Sequence, residues 1–182
     1  LAPPDSREAG RILANYGFSL GLTSYDYTPA EEALGKALAI AARLADPALE
    51  MRVLAINGQI AAEHLRWQEC NEKCLKAIEM AKTFGDPWDR LRAQFWAAVS
   101  LSVQGDADYA AVHAAEAISA AEGLRDRFWL GMSHIPMAFL ACDRGNWEEA
   151  RRVINRGMAV LPGEIYLLSI RSLLEHNAGD IK

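Results

Sequence analysis

Small side chains recur along this chain at a fixed interval, and apolar side chains follow them in register. The first set consists of Ala30, Cys70, Ala110 and Ala150. The second set consists of Ala37, Ala77, Ala117 and Gly157, and an apolar residue follows each of them at Leu38, Ile78, Ile118 and Met158. Equivalent residues are forty positions apart. A repeat of this length predicts stacked copies of one supersecondary unit.

The spacing within each copy predicts two helices. The two small residues of a copy are seven positions apart, which is close to two helical turns, so they lie on one face of the second helix. Asp-Pro pairs at 46–47 and 86–87 separate copies, and Gly-Asp and Gly-Asn pairs at 105–106 and 145–146 separate the helices within a copy. The predicted repeats cover residues 6–45, 47–84, 87–124 and 127–162, with a half-repeat at 164–182.

These patterns predict one all-α domain over residues 1–182, built from four antiparallel helix pairs and a terminal helix. Pro136 lies inside the predicted first helix of the fourth copy, at 127–144. Proline lacks the backbone N–H that an interior helical position uses, so we expect a kink there.

Composition supports the helical prediction and narrows the function classes. The chain is 51% hydrophobic, and alanine, the best helix former, is its most frequent residue. The net charge is −5, and no cluster of Lys and Arg is dense enough to follow a phosphate backbone, so we expect no direct nucleic-acid binding. No apolar run approaches the ~20 residues that a membrane helix needs, and the first residues given lack the basic-then-apolar pattern of a signal peptide.

The cysteine content indicates a reducing compartment. Cys70, Cys74 and Cys142 form no disulfide framework, and the chain has no Asn-x-Ser/Thr sequon, so we expect a cytoplasmic location. The chain begins at Leu1 instead of Met, and it stops at 177–182, where a turn is expected to lead into another helix. We therefore expect it to be a piece of a longer protein.

The fourth copy contains Gly145, Trp147, Glu148, Glu149, Ala150, Ile154 and Pro162 within residues 145–162. It resembles a tetratricopeptide repeat (TPR), whose pattern is a glycine turn, an aromatic, two acidic residues and an alanine, followed by spaced apolar, alanine and proline residues. Gly157 stands where alanine is usual. The other copies match more loosely, and Ala107 replaces the aromatic in the third. The resemblance implies a right-handed superhelical solenoid.

The period departs from the ordinary repeat, since forty residues exceed the usual ~34. The long, alanine-rich form resembles the repeat regions of large bacterial signalling proteins, especially the LuxR-type transcription activators similar to the maltotriose-responsive regulator. In those relatives the repeats form a sensor and docking arm between a nucleotide-binding module and a DNA-binding helix-turn-helix.

Three sets of residues resemble catalytic or metal-binding motifs, but helix packing or surface position explains each of them. Gly17-x-Ser19-x-Gly21 has the letters of a hydrolase nucleophile elbow, but it lacks the preceding strand and fits close helix packing. Cys70 and Cys74 lie one turn apart and fit metal binding with His64, yet both occupy inward positions of the repeat. The four histidines have no metal-ligand spacing, so we expect them at the surface or in a groove. We expect no enzyme, no cofactor and no metal site.

The first helix of each pair is the expected binding surface, because in the resembling family these helices line the concave face. The equivalent positions in the four copies are Ile12, Asn15, Tyr16 and Ser19, then Arg52, Ala55, Ile56 and Gln59, then Arg92, Phe95, Trp96 and Val99, then Met132, Ile135, Pro136 and Phe139. Arginines and aromatics are frequent interface anchors, so we predict partner binding at Asn15, Tyr16, Arg52, Gln59, Arg92, Phe95, Trp96 and Phe139. The alternative is that Phe95, Trp96 and Phe139 pack against the paired helices.

Two functional hypotheses follow. The first is a protein interaction module that binds a peptide or partner domain along its concave face, as part of a bacterial signalling or regulatory protein. The second is the effector-sensing arm of a LuxR-type transcription activator, with a small molecule bound among the groove residues. We also expect self-association through the last helix. Its apolar residues, which we expect to have no packing partner within the chain, are Ile165, Leu168, Leu173 and Leu174.

Overall fold

The computed structural model describes residues 3–179, and these residues contain helices and turns with no β-strand. The predicted all-α class is confirmed. Contacts divide the chain into two compact units, with Ser100 the last residue of unit 1 and Leu101 the first of unit 2. The boundary falls inside the first helix of the third predicted repeat, so it does not follow the repeat borders.

Unit 1 is built from sequential helices that pack on their neighbours. Its helices are α1 (Arg7–Thr23), α2 (Thr28–Leu44), α3 (Pro47–Glu63), α4 (Trp67–Met80) and most of α5 (Pro87–Val103). Helix α1 packs on α2 and α3, α2 packs on α3, and α3 packs on α4. The core of the first pairs includes Leu34, Ile40, Leu49, Ile56 and Ile60.

Unit 2 contains the remaining helices. They are α6 (Ala107–Leu124), α7 (Arg127–Met132), α8 (His134–Asp143), α9 (Trp147–Val160) and α10 (Ile165–Asn177). Helix α6 contacts α7 and α8, both of these contact α9, and α10 packs on α9 with further contacts to α7 and α8. Ile154, Leu167 and Leu174 are central to its core.

The small residues of the repeat occupy equivalent buried positions. Ala30, Cys70, Ala110 and Ala150 are each 0% exposed. Ala37, Ala77, Ala117 and Gly157 are also buried, while the apolar residues that follow them are all partly buried. A Cβ added at Gly157 would lie 2.9 Å from the carbonyl oxygen of Gly131, which shows how closely the helices of the fourth repeat approach. The burial predicted from the forty-residue register is therefore confirmed.

The turns follow the same register. Left-handed backbone occurs at Ala45, Gly85 and Arg125 between copies, and at Leu65, Gly105 and Gly145 within copies. The left-handed conformation predicted for Gly105 and Gly145 is confirmed. Leu65 adopts the same conformation, with φ of 59°, although it carries a side chain. The carboxylates of Asp46 and Asp126 accept hydrogen bonds from the N–H groups of Leu49 and Trp129, at 3.0 and 2.8 Å. These caps begin α3 and α7; the sequence predicts the cap at Asp46, whereas the cap at Asp126 is found only in the structure.

Pro136 interrupts its helix, as expected. The predicted helix 127–144 is present as α7 and α8, which are separated by Ser133. The ring of a proline clashes with the carbonyl four residues earlier, here that of Met132, and this is where α7 ends. The predicted kink is therefore a break one turn before the proline.

One face of helix α10 is packed in the core of unit 2, and another is exposed. Leu174 is 1% exposed and packs with Leu167 in the core of unit 2, so the expectation that Leu174 lacks a partner is wrong. Leucines seven residues apart share one helix face, and that face meets α9. Ile165, Leu168 and Leu173 are exposed.

Candidate functional site

The first helices of the first three repeats bring polar and aromatic side chains together in unit 1. Asn15 and Phe18 come from α1, Arg52 from α3, and Asp89 and Arg92 from α5. We call these five residues the Arg52 cluster. A guanidinium nitrogen of Arg52 (Nη1) lies 3.5 Å from Asp89 Oδ2, and its other terminal nitrogen (Nη2) lies 3.5 Å from Asn15 Oδ1. Arg52 therefore links three helices.

Arg92 completes the cluster from the side of α5. Its guanidinium carbon lies 5.3 Å from the centroid of the Phe18 ring, within cation–π range. The Nε atoms of Arg52 and Arg92 are both buried and have no hydrogen-bond partner. Because each guanidinium carries five N–H donors, these two side chains retain donor capacity that the described residues do not use.

Asp89 is the buried acid of the cluster. It is 4% exposed and lies in the first turn of α5, where the helix dipole favours a negative charge. Burial raises the pKa of Asp89, while Arg52, Arg92 and Arg11 act in the opposite direction. Burial also lowers the pKa of Arg92, against the effect of Asp89. Desolvation thus exceeds the charge pairing at both groups, which is expected where ion pairs are only loosely formed.

A cavity of about 400 Å³ opens beside this cluster, and we call it the arginine pocket. Its polar lining consists of Arg7, Arg11, Arg52, Asp86 and Asp89. The N-terminal turns of α3 and α5 border it through Ala48 and Pro87. Arg7 is engaged, since its Nε lies 2.8 Å from Asp46 Oδ2. Arg11 is exposed and makes no ion pair within hydrogen-bond distance among the described residues.

The predicted site residues divide between this cluster and the core. Asn15, Arg52 and Arg92 meet in the cluster, and Tyr16 is 56% exposed on α1. Gln59 is 9% exposed, and its side-chain oxygen is buried without a partner. The cluster residues Asp89 and Phe18 were missed, because neither occupies a position that the family register marks. The two aspartates between Arg52 and Arg92, at 86 and 89, were the available signal.

The aromatic residues of the prediction are mostly packed. Phe95 is 4% exposed and meets the Trp96 ring edge-on at 5.1 Å. Trp96 is half-buried, and its indole nitrogen has no hydrogen-bond partner. Phe139 is partly buried against the core of unit 2. For Phe95, packing against neighbouring helices describes the contacts better than exposure in a groove.

The motif that resembles a hydrolase nucleophile elbow lies in a packed helix. Ser19 is exposed in the middle of α1, while Gly17 and Gly21 are buried against Leu34 and Ile60, as the packing interpretation predicts. A Cβ at Gly21 would lie 2.2 Å from Ile60. Within residues 3–179, no group of three His, Cys, Asp or Glu side chains is placed to hold a metal ion.

Cys70 and Cys74 lie in the core of unit 1, as predicted. Both are 0% exposed, and their sulfur atoms are 4.0 Å apart. The contact with Cys70 and burial together raise the pKa of Cys74 well above its ordinary range. A thiol in this environment stays protonated and behaves as a small apolar side chain.

Two histidines differ from the prediction. His113 and His134 are 6% and 8% exposed, so they are core residues instead of surface or groove residues. His134 Nδ1 lies 2.8 Å from the carbonyl of Leu130 on the preceding turn. A histidine can be buried in this way because its hydrogen bond is satisfied locally.

No protein-family model matches this sequence, and a search of curated proteins finds no significant match. Among the described residues, no helix is both long and apolar enough to cross a membrane. The function proposed below is therefore inferred from the Arg52 cluster and the arginine pocket.

Proposed function

We propose that this protein is a TPR-like helical-repeat interaction module whose first helices bind a peptide or partner domain. The helix pairs stack as a solenoid in this proposal, and the chain serves a larger bacterial signalling or regulatory protein. The supporting observation is the Arg52 cluster, in which α1, α3 and α5 bring side chains from three successive repeats to one place.

The cluster has the chemistry of an interaction surface. Arg52, whose side chain is 26% exposed, has further N–H donors on its terminal nitrogens beyond the two 3.5 Å contacts, and Tyr16 and Ile12 offer exposed apolar area on α1. Arginine and tyrosine are enriched among residues that dominate binding energy, because each buries a large area and keeps a polar group for orientation. Exposed aromatic area beside unused donors favours a peptide, which supplies both apolar side chains and carbonyl acceptors.

Peptide selection by surface display on the full chain tests the proposal. We expect selected peptides to bind through the first helices, and Tyr16→Ala and Arg52→Ala to weaken binding at least tenfold, which is about 1.4 kcal/mol. Tyr109→Ala is the matched control, since Tyr109 is 49% exposed but lies on a second helix, α6. Equal weakening by Tyr109→Ala, or failure to select any peptide that responds to the two variants, contradicts the proposal.

The effector-sensing arm is a second candidate, and the arginine pocket is the observation that favours it. A volume of about 400 Å³ lies within the range of small-molecule sites, ~300–1,000 Å³. A thermal-shift screen of sugars, nucleotides and amino acids is the direct test. A ligand at 100 times its Kd adds ~2.7 kcal/mol to the free energy of unfolding, and loss of that shift in Arg52→Ala would assign it to this pocket.

A further inference from the structure

The charges around the arginine pocket do not balance. The positive groups are Arg7, Arg11, Arg52 and Arg92, and the negative groups are Asp46, Asp86 and Asp89. Arg7 pairs with Asp46, and Asp89 is shared between Arg52, at 3.5 Å, and the charge of Arg92 on the same helix. One positive charge therefore remains without a counter-charge, although the whole chain carries −5.

The unbalanced charge lies at Arg11 and Arg52. Arg11 has no ion pair among the described residues, and Arg52 reaches Asp89 only at 3.5 Å while its Nε is buried without a partner. A guanidinium binds a carboxylate through two parallel N–H donors, and such charge-assisted pairs usually form at 2.7–2.9 Å. The contact to Asp89 is thus longer than a fully formed pair. The side chain of Arg52 is 26% exposed and each terminal nitrogen has a second N–H, so Arg52 keeps capacity for a second acceptor.

The remaining lining is apolar. Ala48, Leu49 and Pro87 border the same cavity, at the N-terminal turns of α3 and α5. A helix N-terminus adds partial positive charge that favours an anion. A ligand that fits this lining has one negative group and an adjoining apolar stem.

We propose that the arginine pocket binds a single carboxylate between Arg11 and Arg52, with the stem of the ligand against Ala48 and Pro87. The proposal rests on the proposed function and names the ligand chemistry at that site. A carboxylate carries one charge and brings the pocket to neutrality. A phosphomonoester at neutral pH carries a charge of −1.5 to −2, which exceeds the one formal positive charge left over among these side chains. The carboxylate belongs either to an acidic side chain of a peptide or to a free small acid.

The test uses the full chain labelled with ¹⁵N and follows the Nε–H signals of the arginine side chains by NMR. The probes are N-acetylglutamate methylamide, its neutral analogue N-acetylglutamine methylamide, and inorganic phosphate. We expect saturable shifts of the Arg11 and Arg52 signals with the glutamate probe and none with the glutamine probe. No saturable shift with the glutamate probe, an equal response to both probes, or tighter binding of phosphate overturns the proposal.

Variants assign the effect to the pocket. Arg11→Gln removes an exposed side chain with no ion pair, so it should leave the fold intact and weaken binding of the glutamate probe at least tenfold. Arg52→Met should weaken it by a similar or larger factor. Arg152→Gln is the charge-matched control, because Arg152 is exposed and pairs with Glu149 in unit 2. Unchanged affinity in Arg11→Gln and Arg52→Met contradicts the proposed site.

A peptide arm separates this proposal from the proposed function. If selected peptides bind the first helices but tolerate replacement of every acidic residue by its amide, the interaction module stands and the carboxylate site is wrong. If no peptide is selected while the glutamate probe binds at Arg11 and Arg52, the carboxylate site stands, its source is a small acid, and the peptide-binding function is wrong.

Discussion

The second helices carry similar residues in the two units, whereas the first helices differ. In unit 1 two of the three copies have arginine at one register position, Arg52 and Arg92, whereas the first copy has Ile12, and the buried Asp89 lies beside Arg52. In unit 2 the same position is Met132, and its neighbours Ile135 and Pro136 are buried. By contrast, Cys70 and Ala110 are both small and both 0% exposed. Packing between the helices of a pair thus constrains one set of positions, while the other set is open to variation in chemistry.

The largest expected loss of stability comes from placing a large side chain at one of the small-residue positions that the repeats share. Gly157→Leu should lower the free energy of unfolding by about 3 kcal/mol or more, because even a Cβ would lie 2.9 Å from a backbone oxygen that cannot rotate away. Urea denaturation measures the change. Ala159→Leu on the same helix is the control, since Ala159 is exposed and should cost less than about 0.5 kcal/mol. Equal costs for the two variants would contradict the inferred packing constraint.

The difference between the first helices of the two units can be tested by giving a first helix of unit 1 the residue that unit 2 has at the equivalent position. Arg52→Met places the residue of position 132 at position 52 and leaves Asp89 buried with a weaker counter-charge. We expect a loss of about 2 kcal/mol in unfolding free energy at pH 7. Adding Asp89→Asn should recover part of that loss, because burial already raises the pKa of Asp89 and disfavours its charge.

A double-mutant cycle measures the coupling between Arg52 and Asp89. A coupling energy below about 0.5 kcal/mol would show that the pair is independent. Arg152→Met serves as the surface comparison. Its partner is Glu149, one helical turn away at 2.6 Å, and exposed pairs of this kind contribute about 0.2–1 kcal/mol.

The turns within repeats also differ between the units, with a smaller expected effect. Leu65 in unit 1 has φ of 59°, where unit 2 has Gly105 and Gly145 at equivalent positions. Leu65→Gly should raise the free energy of unfolding by about 1 kcal/mol, because a left-handed conformation costs a side-chain-bearing residue roughly 1–2 kcal/mol. Thermal unfolding measures the shift. Leu22→Gly, at an exposed position in the last turn of α1, should instead lower the free energy of unfolding, by less than about 1 kcal/mol.

The smallest effect concerns a buried histidine that unit 1 lacks at the equivalent position, which is Lys73. Burial lowers the pKa of His113 below its ordinary 6.5, against the opposing effect of Glu116. Below pH 6.5 the unfolded chain therefore takes up a proton before the folded chain does, so the free energy of unfolding falls as pH falls. Comparing unfolding at pH 7.5 and 5.5, we expect a smaller decrease in His113→Gln, by less than about 1 kcal/mol. An equal decrease in the unchanged protein and in His113→Gln would contradict this prediction.

The sequence alone determined the all-α class, the borders of the helix pairs to within a few residues, and the burial of the forty-residue register. These depend on local signals: Asp46 caps a helix, Gly105 and Gly145 supply left-handed backbone, and two small residues seven apart share one helix face. Each signal acts over a few residues, so it can be recognised without knowing what packs against it. The solenoid arrangement remains a prediction.

Only the tertiary structure decided which first-helix side chains meet. Asn15, Arg52 and Arg92 were predicted at binding positions, but the register also included Phe95, which is buried, and it omitted Asp89, which joins the cluster. Whether a side chain on a first helix faces solvent depends on how neighbouring repeats pack, and contacts between residues about forty apart are not encoded by any local pattern. The charge balance of the arginine pocket likewise follows only from the positions of α1, α3 and α5 in three dimensions.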